Sequence, residues 1–474
     1  MKLVKSLLLA SAAGLAAAAS AQAADLPSKK AAPAEYVKVC SAHGEGFFYI
    51  PGTDTCLKIS GHVRLDYQFE STGNVANYQQ FRAFQAANAV TPGSGKQFNY
   101  SGRAQNQTGF TVRARTQFDA RTTTAYGTLR SFASLDWKSV TGANPLEYGN
   151  GTSIDKAFIQ WAGITAGRAQ SMFDYYADSL GYDDVRGPDH TVNLLAYTAT
   201  FGGGFAATLS LEDTNQTGTI GSYTRATTAG GTPTVNSWGL QGTRQPDVVA
   251  AIGVEQGWGG AQLSGLYHSI NVESGTAISA RHKEEAGWGA NAGVHIKLPM
   301  IAPGDELWLQ ATYTKGDLAL QTQGYPRGWN LSNVSGGITK GWVLPDYDAV
   351  IVNGSDKLPT AWSAIAAFQH NWNAQWATHV EASYLNVKYP SAVTRAAVSS
   401  QLGATNWNEW RVGLGTDWKP VKNLLIGLEL YYTRLDQKAP LNANGRAFTG
   451  AGTGVPFKKN INTYEGVFRI QRDF

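Results

Sequence analysis

The chain has 474 residues, 43% hydrophobic and 11% aromatic, with 53 glycines, three methionines and two cysteines. Its formal charge of +4 falls to +2 once Lys2 and Lys5 at the N-terminus are set aside, and no basic run occurs, which argues against nucleic acid as a partner. No apolar stretch after the first residues is long enough for a membrane helix, so abundant Gly, Trp and Tyr point to an all-β chain.

Residues 1–23 read as a secretory signal peptide. Lys2 and Lys5 precede an apolar Leu/Ala core that ends in Ala21-Gln22-Ala23, so the mature chain is expected to begin at Ala24. A membrane anchor would need a longer apolar run and a charged stop. Residues 24–57 form a Cys-containing N-terminal segment. Cys40 and Cys56 are an even pair in a secreted context, which favours a disulfide contributing about 3 kcal/mol by loop-closure entropy. A metal or redox site would need CxxC spacing, or more ligands than His43 adds.

From residue 58 to 474 the dominant period is two. Val63, Leu65, Tyr67 and Phe69 alternate with His62, Arg64, Asp66 and Gln68. Phe110, Val112 and Phe118 alternate with Thr111, Arg113, Arg115 and Asp119. Near the other end, Trp410, Val412 and Leu414 oppose Glu409 and Arg411, and Leu428 and Leu430 oppose Glu429. Such alternation gives each strand one apolar and one polar face. About sixteen strands are expected by this reading, an even number, joined alternately by short and long links. The long links fall near 71–107, 139–152, 170–191, 214–246, 273–285, 317–360, 390–406 and 437–460.

Period two alone does not separate a soluble sandwich from a barrel in lipid. Sandwich strands are short with comparatively even turns, and a lipocalin has about eight strands around an apolar interior. Long strands, short turns on one side and long loops on the other predict a sixteen-stranded antiparallel transmembrane β-barrel. In hydrocarbon every backbone polar group must pair internally, so a sheet crosses only when closed, and the wet interior then tolerates Arg and Asp.

The link after the fifth strand stands apart. Ala166–His190 reads AGRAQSMFDYYADSLGYDDVRGPDH and carries Asp174, Asp178, Asp183, Asp184 and Asp189 with Arg186 and three tyrosines, in no helical period. Taken alone it is either a solvated surface loop or a charged element with a partner. The last strand alternates Tyr464, Phe468 and Ile470 against Glu465, Arg469 and Gln471 and stops on Phe474. That ending resembles the terminal signature by which outer-membrane barrels are recognised for assembly, although Arg472 departs from the usual apolar or aromatic residue.

Enzyme motifs are not met. Pro92–Gln97 lacks the Gly at Val90 and the Ser or Thr at Gln97 that a phosphate-binding loop requires. The eight histidines form no HExxH and no close metal spacing, and no GxSxG elbow occurs, so no catalysis, metal or cofactor is expected.

The segment VKVCSAHGEGFFYIPGTDTCLKISGHVRLDY, then AFIQWAGITAGRAQSMFDYY and the Phe474 ending, resembles the alphaproteobacterial general porins of the Brucella and Rhizobium type. The resemblance implies a homotrimer in the bacterial outer membrane whose third long loop folds inward to narrow a water-filled channel. Asp174, Asp178, Asp183, Asp184 and Asp189, relieved by Arg186, would then face Arg64, Arg113, Arg115, Arg130 and Arg168 on the wall. Partners implied are outer-membrane lipid, the barrel assembly machinery, and small hydrophilic solutes and ions passing by diffusion. Tyr175, Tyr176 and Tyr182 leave a sugar-specific channel as the alternative. Wall arginines paired with Asp66, Asp119 and Asp136 merely to hold the barrel are a second reading of the same residues.

Overall fold

A computed structural model describes residues 38–70, 108–142, 150–177, 179–213, 219–223, 239–240, 244–273, 282–322, 347–352, 355–395, 404–439, 441, 447 and 459–474. Residues 1–23, expected to be a signal peptide, and Asp178 lie outside the described residues. Two compact units are present, one up to Cys56 and one from Leu57 to Phe474.

The first unit is a small hairpin. Tyr49 N–H donates to the Lys38 carbonyl at 2.8 Å, Cys40 N–H to Phe47 at 2.9 Å, and Ile50 N–H to Thr55 at 2.9 Å. Cys40 and Cys56 form a disulfide with Cα atoms 5.9 Å apart. With Phe47 they make a buried cluster that Tyr49 covers. A core this small cannot offset the entropy of ordering its chain, so the covalent link is the main restraint.

The second unit is a closed antiparallel barrel of sixteen strands. They are β1 (Cys56–Glu70), β2 (Thr108–Thr124), β3 (Gly127–Gly142), β4 (Gly151–Trp161), β5 (Ile164–Gln170), β6 (Thr191–Gly202), β7 (Phe205–Asp213) and β8 (Asp247–Gln256). The second half holds β9 (Gly259–Glu273), β10 (His282–Lys297), β11 (Glu306–Lys315), β12 (Thr360–Asn371), β13 (Trp376–Lys388), β14 (Trp407–Trp418), β15 (Leu424–Gln437) and β16 (Asn460–Asp473). Each strand pairs with its neighbour in sequence, and β16 returns to β1 in the register His62↔Asp473 through Glu70↔Glu465.

Polarity is inverted relative to a water-soluble fold. Leu263 and Leu209 are 58% exposed on the outer face, while Glu381 and Glu429 are 0% exposed within. Two aromatic bands border the outer surface. One runs through Trp288–Tyr313, Trp362–Tyr384, Tyr384–Trp410 and Tyr432–Tyr464, with ring centroids 4.5–5.4 Å apart. At the short-turn end, Tyr126 meets Trp161 and Trp376 stacks on Trp418, both pairs at 5.7 Å. Amphipathic rings at two levels with aliphatic side chains between them match the two interfaces of a bilayer. At the long-loop end, Leu318, Tyr347, Val350, Leu385, Tyr389, Trp407 and Leu435 form a separate buried cluster. There Tyr347–Val352 pairs in parallel with Thr219–Tyr223, so these connections carry a core of their own.

The seam closes at one tight point. Gly61 N–H donates to the Phe474 carbonyl and Phe474 N–H to that of Gly61, both at 3.0 Å. A Cβ at Gly61 would stand 2.0 Å from the Arg115 carbonyl oxygen, well inside contact distance. Gly61→Val is therefore expected to keep β1 from fitting between β16 and β2, and so to block closure. Unheated gel electrophoresis checks this, since the fast-migrating folded form should be lost from the outer-membrane fraction.

Candidate functional site

The connection from Ser171 to His190 enters the barrel and lies along the inner face of the later strands. At its foot Ser171 Oγ donates to Glu212 of β7 at 2.6 Å. Ser264 Oγ and Asn291 Nδ2 donate to the Phe173 carbonyl at 2.6 and 3.0 Å, and Gln262 Nε2 to the Asp174 carbonyl at 3.0 Å. Tyr176 N–H then donates to Gln310 Oε1 of β11 at 2.8 Å, and its hydroxyl to Glu381 Oε2 of β13 at 2.7 Å.

The tip reaches β14 and β15. Tyr182 and Asp183 N–H groups donate to Glu429 Oε2 at 2.8 and 3.1 Å, and Tyr431 hydroxyl donates to the Asp183 carbonyl at 2.6 Å. Arg411 binds the Asp183 carboxylate, the Asp184 carbonyl at 2.8 Å and Glu465 at 2.8 Å. Tyr182 hydroxyl donates to Asp417, and burial together with that carboxylate pushes its pKa up, so it stays a donor. Gly181, at φ +81°, passes so close to Glu381 that a Cβ would sit 2.0 Å from its Oε1. On the return limb, Arg186 N–H donates to Ser383 Oγ at 2.9 Å and its guanidinium pairs with Glu409.

Across the bore, the inner face of β1–β4 carries Arg64, Arg113, Arg115, Arg121, Arg130, Lys138 and Lys156 against Asp66, Asp119, Asp136 and Asp155. Arg64 pairs with Asp66 at 3.0 Å, and Arg469 of β16 shares that carboxylate at 2.7 Å. Arg115 bridges Asp136 at 2.7 Å and Asp155 at 3.1 Å, while Arg121 and Arg130 both hold Asp119. Cations outnumber carboxylates on this side. The loop and the strands behind it show the opposite excess, with Glu212, Glu381, Glu409, Asp417, Glu429, Asp183 and Asp184 against Arg186 and Arg411. Arg469 marks where the sides meet, its guanidinium 4.1 Å from the Tyr182 ring centroid.

The predicted residues divide three ways. Arg64, Arg113, Arg115 and Arg130 do line the inner wall. Asp174, Asp183, Asp184, Arg186 and Asp189 are on the inward loop, but several act as anchors rather than as open charges. Gln170 Nε2 donates to Asp174 at 2.7 Å and to Asp189 at 2.9 Å, and His190 N–H donates to Asp174 at 2.5 Å. Arg168 corrects the expectation. It pairs with Ala157, two residues on from Ala166, which faces exposed Ile159, and its Nε donates to the Ile154 carbonyl at 3.2 Å. Pairing parity puts it on the outer face, opposite Phe158 and Gln160.

The fold also brings together two His–carboxylate groups from nearby strands and one connection. Asp247, His268 and Asp317 place ligand-type atoms within 4.8 Å of one another, as do His379, Glu381 and Glu429. In each group the imidazole already shares a 2.7 Å hydrogen bond with a carboxylate, Asp247 or Glu429. Spacing along the chain holds no trace of these groups, because strand pairing assembles them.

A sealed sheet with an aliphatic exterior and a charged bore narrowed from within is an outer-membrane channel. By sequence the chain belongs to the porin subfamily, whose profile matches residues 25–461. Porin Omp2b of Brucella neotomae is 29% identical over 332 residues, covering 68% of this chain and 76% of its own. Omp2b of Brucella canis is 30% identical over 333 residues with the same coverage. The crystal structure of the outer membrane channel DcaP of Acinetobacter baumannii shares the fold, with a TM-score of 0.59 at 13% identity over 90% of this chain and 99% of that one.

Two outcomes follow from the anchoring. Arg411→Met leaves Asp183 and Glu465 buried without their cation, a change that costs about 3–5 kcal/mol. Single-channel current through the variant should be larger and noisier as the loop loosens, with the folded barrel retained; current like that of the parent would mean the pair does not hold the loop. His190 is fully buried, which lowers its pKa, but Asp174, Asp189 and Asp317 outweigh burial and raise it above 6.5. Its ion pair with Asp174, at 3.8 Å, thus stabilises fully below about pH 6.5 and is lost as pH climbs through the raised value. His190→Phe should flatten the alkaline part of a melting-temperature-versus-pH curve.

Proposed function

We propose that this porin passes small hydrophilic solutes and ions by passive diffusion, with residues 171–190 as its constriction and without catalysis or cofactor. The supporting observation is the separation of charge across the bore, acidic on the loop side and basic on β1–β4. In a gap comparable to the Debye length, about 8 Å at physiological salt, a transverse field is poorly screened. It aligns dipolar solutes and water and penalises large apolar molecules that would displace that water. A sugar-specific track draws less support, since Tyr176 is buried against Glu381 and Tyr182 is held between Asp417 and Arg469.

We further infer removal of residues 1–23 on export, a lipid-facing homotrimer, and Phe474 as the assembly signal. Conductance in a planar bilayer tests the channel directly. Replacing Arg64 and Arg113 by Gln should move the reversal potential in a salt gradient toward cation preference, and an unmoved potential would remove the wall from the selectivity mechanism. Deleting Phe474 should lower the yield of folded outer-membrane protein, because the deletion removes both the terminal ring and the hydrogen bonds to Gly61.

A further inference from the structure

Bulk diffusion has no use for apolar rings on a charged wall, yet two face the bore beside the foot of the loop. Phe132 of β3 and Phe158 of β4 are direct cross-strand partners, stacked with centroids 5.1 Å apart and 26° between planes. The Arg130 guanidinium lies 5.0 Å from one ring centroid and 5.3 Å from the other. Its charge is only partly offset, because Asp119 is shared between Arg130 and Arg121. On the other side of the rings stands Lys156, opposite Ser134 in the register. A bulge between Ser134 and Leu135 frees Asp155 to meet Arg115, and Lys156 makes no ion pair among the described residues.

These four side chains line a recess of about 450 Å³, within the size range of small-molecule sites. Asp174 also borders it, but its Oδ2 accepts from Gln170 and the His190 N–H, and its Oδ1 is buried 3.8 Å from the His190 ring, closed off from the bore. The recess therefore combines an aromatic platform with flanking cations and has no carboxylate available for a ligand's positive end.

We propose that this recess is a subsite for small aromatic carboxylates, the ring lying on Phe132 and Phe158 and the carboxylate between Arg130 and Lys156. It rests on the channel reading above and adds a substrate class to it. A neutral sugar leaves both cations unanswered, an aliphatic acid offers no flat face to the rings, and a cation is repelled.

Titrating benzoate, acetate and benzyl alcohol into the bilayer recording tests the proposal. Benzoate should interrupt the current in a concentration-dependent way, with acetate and benzyl alcohol at least about fivefold less effective. Phe158→Leu and Lys156→Gln should each raise the half-blocking benzoate concentration about threefold to tenfold, with open-channel conductance certifying an assembled barrel. Equal action of benzoate and acetate, or conducting variants blocked as readily as the parent, overturns the subsite and leaves the channel standing. Absence of any conductance overturns the channel and the subsite with it.

Discussion

Backbone hydrogen bonding in a solvent that offers none is the constraint on which this molecule depends. An unpaired peptide group costs several kcal/mol in hydrocarbon, so sixteen strands are stable there only because β16 finds β1. The reciprocal bonds between Gly61 and Phe474 are the visible end of that seam. Closure divides every strand into a side that meets lipid and a side that meets water. That division explains how Glu429 can be wholly buried while Leu263 is open.

Inside the wall, charge does two jobs that sequence order does not distinguish. Around the loop, carboxylates and arginines pair to hold backbone in place: Glu429 takes two N–H groups, and Arg411 clasps a carboxylate and a carbonyl of the same turn. On β1–β4 the arginines share too few acids, and a surplus of positive charge remains toward the water. Polarity across the bore comes from whole faces, with the loop acids contributing mainly as fasteners. Desolvated pairs of this kind contribute more to a defined loop position than to net stability.

Much of the barrel was legible because alternation is a local property. Between the long links expected at 390–406 and 437–460 stand Trp407–Trp418 and Leu424–Gln437, and Glu409, Arg411 and Glu429 face inward as their apolar neighbours required. Arg168 failed for lack of contrast: between Ile164 and Gln170 the residues are mostly Ala, Gly and Thr, so only register against β4 reveals which side is which. The anchors Gln310, Glu381 and Ser383 were invisible for another reason. Their roles depend on a chain segment more than a hundred residues away folding back across the interior.

That separation has a kinetic consequence. Tyr182 waits for Glu429, 247 positions downstream, and Arg186 for Glu409, 223 downstream. During synthesis and insertion the inward loop's supports do not yet exist. Contacts so distant form late, so a newborn cylinder is an open pipe first and gains its inward loop only at the end.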